Sequence, residues 1–164
     1  MLLTTCNQQS AQQEPAATSE DYRDPLIRVN KKMVEVEDEL INDFIERYRW
    51  DMKKTGTGLR YMIYSNGEGA VTTLGKKATI LYSVVLLNGD TCYPSLEKSF
   101  IIGKEKIEPG LNEGIQMMHM GDKAKFILPS HLAFGLVGDR QSIPQKATLV
   151  YDVYLIELSN NKQE

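Results

Sequence analysis

The sequence predicts an α+β fold, with a mainly antiparallel sheet, one short embedded helix and a further helix on the N-terminal side. Three observations predict this class. Apolar residues recur at spacings of three and four over residues 32–49, strand-like segments follow from residue 59, and Asn-Gly pairs end two of those segments. Hydrophobic residues make up 41 % of the 164 residues, so the chain can bury one core of ordinary domain size.

The N-terminal 22 residues are predicted to form a disordered tether. Residues 7–22 are polar, rich in Gln, Ser and Ala, and show no periodicity. Such a segment buries too little apolar surface to offset the entropy that ordering would cost.

An N-terminal helical extension is predicted for residues 23–54, with its helix from residue 32 to 49. Acidic residues lead and Arg47 and Arg49 follow, as the helix dipole favours. The acidic run 35–39 is expected to be a solvated first turn. The apolar stripe suits packing on the domain or dimerisation, and it is too short to choose between a monomer and a dimer.

The rest of the chain is predicted to be mostly strands. Their expected ranges are 59–65, 78–87, 90–93, 99–102, 123–128 and 149–158. Residues 109–118 are predicted to form the short helix, because Pro109 suits a first helical turn and Leu111, Ile115 and Met118 share one apolar face.

Several functional classes are excluded by composition and spacing. The net charge of −3 argues against a nucleic-acid partner, and no apolar run approaches the roughly 18 residues that span a bilayer. Cys6, Cys92, His119 and His131 do not have metal-ligand spacing. Residues 69–76 do not match a phosphate-binding loop. We therefore expect no metal and no cofactor.

Separated segments share the order and spacing of one enzyme family. They include Ile-Glu-Pro-Gly-Leu-Asn-Glu-Gly at 107–114, Leu-Pro-Ser-His-Leu-Ala-Phe-Gly at 128–135 and Ala-Thr-Leu-Val-Tyr-Asp-Val at 147–153. This pattern resembles the FKBP-type peptidyl-prolyl cis–trans isomerases over residues 55–158. The resemblance implies a twisted antiparallel sheet curved around the short helix, an apolar pocket between them, and an isomerase domain at 55–164.

The implied reaction is rotation about X-Pro bonds in exported or envelope proteins. It needs no nucleophile, because a site that removes water and holds a twisted amide lowers the rotational barrier. Proline-containing polypeptides are the expected partners. The alternative is an FKBP-fold peptide-binding or chaperone lipoprotein with little or no isomerase activity.

The resemblance also implies the site residues. Tyr82 matches the pocket tyrosine, Glu108 matches the position whose backbone N–H donates to the substrate carbonyl, and Tyr151 is the inward aromatic residue of the last strand. These three are the expected catalytic residues. The other expected substrate-binding residues are Phe100, Ile107, Leu111, Phe134 and Ile143.

Several positions depart from the family pattern. Cys92-Tyr93, expected at the pocket rim, replaces a Phe-Asp pair, and Leu111 replaces a tryptophan floor. Phe134 lacks the hydroxyl of a common tyrosine, and Lys98 is the nearest occupant where an edge aromatic is missing. These departures favour the alternative without turnover.

The first residues resemble the end of a bacterial lipobox. Leu3-Thr4-Thr5-Cys6 precedes the polar tether, and the chain is similar to FKBP-type lipoproteins of Bacteroidetes. A lipid on Cys6 would place the protein at the periplasmic face of the envelope; the alternative is a cytoplasmic protein. A signal peptide needs roughly 7 to 15 apolar residues upstream, which would precede Met1 or have been removed.

Overall fold

The computed structural model describes residues 23–160, and the predicted tether with Cys6 lies outside them. The elements are helix α1 (Arg23–Tyr48), strands β1 (Lys53–Lys54), β2 (Arg60–Ser65), β3 (Lys77–Leu86) and β4 (Thr91–Ile101), helix α2 (Pro109–Ile115), strand β5 (Lys123–Leu128), a 3-10 turn (Ser130–Leu132) and strand β6 (Leu149–Ser159).

The six strands form one antiparallel sheet in the order β1-β2-β5-β6-β3-β4. Helix α2 packs on one face, where Leu111 and Ile115 join Phe126 and Tyr151 in the main core. A Cβ on Gly114 would lie 2.8 Å from the Phe126 ring, so α2 approaches β5 more closely than any side chain permits. The predicted α+β class is confirmed.

A second, smaller core lies on the opposite face of the sheet. Ile127 and Val150 are paired neighbours on β5 and β6, and they alternate with the inward Phe126 and Tyr151. Ile41 and Phe44 of α1 pack on them. The sheet therefore has α2 on its inner face and the Glu35–Tyr48 part of α1 on its outer face.

Helix α1 begins at Arg23, nine residues before the predicted start at Lys32. The early part carries exposed apolar side chains, among them Ile27, Val29 and Val34, and so lacks the periodicity that buried packing produces. Residues 23–34 group apart from the compact unit that begins at Glu35. Among residues 23–160, no helix is long and apolar enough to cross a membrane.

The prediction of a solvated acidic turn at 35–39 is wrong. The run lies in the middle of α1, and two of its carboxylates face the domain. Glu37 accepts hydrogen bonds from Ser130 and Thr148, and Asp38 accepts one from the buried guanidinium of Arg60. Glu37 and Asp38 lie beside Ile41 and Phe44 on the same helix, and the packing of those two apolar residues places both carboxylates in contact with the domain.

Two short strands predicted at 90–93 and 99–102 form the single strand β4. Strand β4 continues through Pro94 because it lies at the sheet edge, where a proline without an N–H is tolerated. The register with β3 shifts between Tyr82 and Val84. Helix α2 ends at Ile115 instead of Met118.

Candidate active site

A cavity of about 550 Å³ opens beside α2 on the inner face of the sheet. Its lining includes most of the residues expected at the pocket and its rim. These are Tyr82 on β3, Tyr93 on β4, Ile107 and Glu108 before α2, Phe134 after the 3-10 turn, and Tyr151 on β6. The fold thus brings together side chains from five separate parts of the chain.

The remaining expected residues do not line the cavity. Phe100, Leu111 and Ile143 are buried in the main core, and Cys92 packs half-buried against that core. The cavity also has lining residues that the resemblance did not supply. They are Leu96, Lys98, Lys106, Pro109, Ala133, Asp139 and Gln141.

Two tyrosine rings form one wall of the cavity. Tyr82 and Tyr151 stack with centroids 5.8 Å apart, because Tyr151 pairs with Val84, two positions along β3 from Tyr82. Burial and the nearby Glu108 carboxylate raise the pKa of both tyrosines. Both hydroxyls therefore stay protonated at neutral pH and can act as donors.

The Glu108 side chain enters the cavity, which the sequence argument missed because it assigned only the backbone amide there. Glu108 precedes Pro109 and has an extended backbone, as a residue before proline prefers. Its Oε1 accepts a hydrogen bond from the Tyr151 hydroxyl at 3.1 Å. Its Oε2 is buried without a hydrogen-bond partner among residues 23–160, and Lys98 Nζ lies 3.8 Å away.

A second carboxylate reaches the cavity from the loop before β6. The Tyr93 hydroxyl donates to Asp139 Oδ2, while Asp139 Oδ1 accepts from the amides of Gln141 and Ile143, each at 2.8 Å. Burial would raise the pKa of Asp139, but these hydrogen bonds outweigh burial and hold that pKa below its usual value. The hydrogen bond to Asp139 in turn raises the pKa of Tyr93.

The contact with Asp139 bears on how Tyr93, which replaces the family's aspartate, is interpreted. The resemblance implied loss of a polar pocket residue there, yet Tyr93 holds a carboxylate from another segment at the same cavity. No sequence motif marks Asp139, because its partner is 46 residues away along the chain.

The arrangement suits binding an apolar ring beside a hydrogen-bond donor. Tyr82, Ile107, Phe134 and Tyr151 supply apolar surface, and the Tyr82 hydroxyl supplies a donor. Within residues 23–160, no group of His, Cys, Asp and Glu is placed to hold a metal ion.

An antiparallel sheet with an aromatic cavity beside its short helix matches the architecture that the resemblance to prolyl isomerases implies, and the comparisons give the same family. The family described as FKBP-type peptidyl-prolyl cis-trans isomerase matches residues 69–156, more than half of the chain. The chain belongs to that family.

One curated relative carries the same description, and another is named as an FK506-binding protein. FkpA of Aeromonas hydrophila is 35 % identical over 109 residues, covering 65 % of this chain and 40 % of the relative. The FK506-binding protein 2 of Dictyostelium discoideum is 35 % identical over 92 residues, covering 54 % of this chain and 69 % of that relative. The chain spans about 40 % of the length of the FkpA relatives it matches.

Solved structures share the fold. FkpA from Escherichia coli matches with a TM-score of 0.62 at 22 % identity, covering 88 % of this chain and 74 % of that one. A peptidyl-prolyl cis-trans isomerase from Pseudomonas syringae matches with a TM-score of 0.66 at 19 % identity. The match covers 79 % of this chain and 96 % of that one. At these identities the likeness supports the fold alone.

Proposed function

We propose that the chain is a peptidyl-prolyl cis–trans isomerase that accelerates X-Pro bond rotation in exported or envelope polypeptides. The observation that carries the proposal is the cavity lined by Tyr82, Ile107, Phe134 and Tyr151. Residues 55–164 would form the isomerase domain, with residues 23–54 as a helical extension.

The proposed mechanism is desolvation with stabilisation of a twisted amide. Amide resonance gives the X-Pro bond a rotational barrier of about 18–20 kcal/mol. Resonance weakens as the bond twists, and the twisted amide is the less polar state, so apolar walls favour it over the planar amide. The proline ring would occupy the space beside Tyr82 and Tyr151, while the backbone N–H of Glu108 donates to a flanking carbonyl.

The test is cis–trans exchange in short X-Pro peptides, measured by NMR with the full chain and with several residues tried before proline. We expect exchange well above the uncatalysed rate, which takes tens of seconds or longer. Tyr82→Ala should lose most of the acceleration. The matched control is Tyr154→Ala, which removes a tyrosine from the outer face of β6.

The alternative function is peptide binding without turnover. It is favoured by Tyr93, which stands where the family has an aspartate, and by Phe134, which lacks the hydroxyl of the family's common tyrosine. Peptide binding to the folded wild type, without faster exchange for any peptide in the series, would replace the isomerase proposal by this one. Full activity in a folded Tyr82→Ala variant would mean that the substrate binds elsewhere.

We also propose that Cys6 carries lipid and holds the protein at the periplasmic face of the envelope. The support is Leu3-Thr4-Thr5-Cys6 followed by a polar segment. One acyl chain binds membranes only marginally, so we expect multiple acylation. Mass spectrometry of the native protein tests this, and an unmodified Cys6 with Met1 intact would contradict it.

A further inference from the structure

A long loop forms one side of the cavity. This cavity loop, residues 130–148, runs from the 3-10 turn after β5 to the start of β6. It supplies Ala133, Phe134, Asp139 and Gln141 to the cavity lining. The position of this wall therefore depends on how the two ends of the loop are held.

A single carboxylate from α1 joins both ends of the cavity loop. Glu37 Oε1 accepts the backbone N–H of Ser130 and the hydroxyl of Thr148, each at 2.6 Å. Glu37 Oε2 accepts the Ser130 hydroxyl at 3.1 Å. Ser130 begins the loop and Thr148 ends it, and Glu37 lies 93 and 111 residues away from them along the chain.

These contacts are separate from those that dock α1 on the domain. Ile41 and Phe44 are buried against the outer face of the sheet. Asp38 Oδ1 lies 2.6 Å from the guanidinium of Arg60, which is only 3 % exposed. Removing the Glu37 carboxylate would therefore leave the helix docked while freeing both loop ends from their contact with α1.

We propose that Glu37 is a positioning residue for the cavity, which it serves by fastening both ends of the cavity loop to α1. Glu37 does not line the cavity and acts through Ser130 and Thr148 on the wall that carries Phe134 and Asp139. A loop that is already ordered loses less conformational entropy when a peptide binds. The inference rests on the proposed isomerase function.

This role predicts a particular kinetic signature. The free energy needed to order the loop is the same whether the X-Pro bond of the bound peptide is planar or twisted. This free energy therefore weakens binding of the ground state and of the transition state equally. Such uniform loss raises KM and leaves kcat nearly unchanged. We expect KM to rise about tenfold in Glu37→Ala, because three hydrogen bonds to one charged group are lost. Glu37→Gln should show a smaller rise, since its amide oxygen can still accept.

The experiment measures kcat and KM for X-Pro peptides and backbone amide exchange over residues 130–148 in the full chain. Glu39→Gln is the matched control, because Glu39 is an exposed acidic residue two positions along the same helix. Thr148→Val removes the hydroxyl at the other end of the contact. In the Glu37→Ala/Thr148→Val double variant, the KM increase should be less than the product of the two single increases.

Several outcomes would overturn the inference. One is an unchanged KM in Glu37→Ala with loop amides as protected as in the wild type. Another is a fall in kcat at constant KM, or equal effects of Glu37→Ala and Glu39→Gln. If Glu37→Ala does not fold, Glu37→Gln and Thr148→Val decide the matter by the same readouts.

Failure of the proposed function gives a different result. A folded wild type without isomerase activity contradicts that function, and peptide affinity then replaces KM. Chemical shifts of the loop amides report that affinity during a peptide titration. Equal dissociation constants for the wild type and Glu37→Ala would overturn the role of Glu37 independently of turnover.

Discussion

The two faces of the sheet carry similar aromatic side chains but enclose them differently. On the inner face Tyr151 is 1 % exposed and stacks on Tyr82 in the cavity. On the outer face Tyr154 and Tyr64 are 36 % and 46 % exposed. Strand alternation alone produces both sets. The inner tyrosines belong to a candidate site because α2 and the cavity loop lie over them. The alternation of residues along the strands does not by itself distinguish them from the outer tyrosines.

The largest expected effect comes from pushing α2 away from the inner face. Gly114→Ala would place a methyl group 2.8 Å from the buried Phe126 ring, so we expect a loss of about 2 kcal/mol in the free energy of unfolding. Urea denaturation measures it. Gly56→Ala is the control, because nothing lies within 4 Å of a Cβ there. Equal stability of the two variants would contradict the close packing of α2.

A smaller effect is expected from removing one hydroxyl on the inner face. Tyr151→Phe takes away the donor to Glu108 Oε1, which leaves that oxygen unpaired and should cost about 1 kcal/mol of stability. Tyr154→Phe, on the outer face of the same strand, should cost nearly nothing. Urea denaturation of both variants checks the difference, and a loss of equal size in each would remove the distinction between the two faces.

The smallest effect is expected on the outer face and depends on pH. Burial would raise the pKa of Asp38, but hydrogen bonds and the charges of Arg60 and Lys54 outweigh burial and lower it. The unfolded chain therefore binds the Asp38 proton more readily than the folded chain does. The contribution of Asp38 to the free energy of unfolding is fully present above the unfolded pKa of about 4 and is lost as the pH falls through the folded pKa.

Asp38→Asn should weaken this acid dependence while leaving the peptide site intact. The measurement is the free energy of unfolding in urea between pH 2 and 6 for the wild type and the variant. Parallel curves would show that the contact of Asp38 with Arg60 does not contribute to acid sensitivity.

Local patterns in the sequence predicted the elements whose limits are themselves local. Strand β5 runs over the expected range, where Gly121 and Pro129 bound it closely, and α2 begins at Pro109 as expected. The sequence predicts two short strands where the structure has the single strand β4. The position of β4 at the sheet edge depends on the topology of the whole sheet, which local patterns do not show.

Local sequence patterns do not predict the side-chain contacts that shape the cavity. Tyr93 with Asp139 and Glu37 with Thr148 join residues that are far apart in sequence. Nothing in the spacing of these residues indicates a partner. The family resemblance supplied Tyr82 and Tyr151, but it did not supply these side-chain contacts.

The single tryptophan gives the outer face a natural optical reporter. Trp50 lies edge-on to Phe44 at 5.5 Å and within 5.2 Å of the Lys125 ammonium. Its fluorescence should therefore follow the docking of α1, separately from the tyrosines of the cavity. A change in tryptophan emission when a peptide enters the cavity would reveal communication across the sheet, and its loss in Glu37→Ala would trace that communication to one carboxylate.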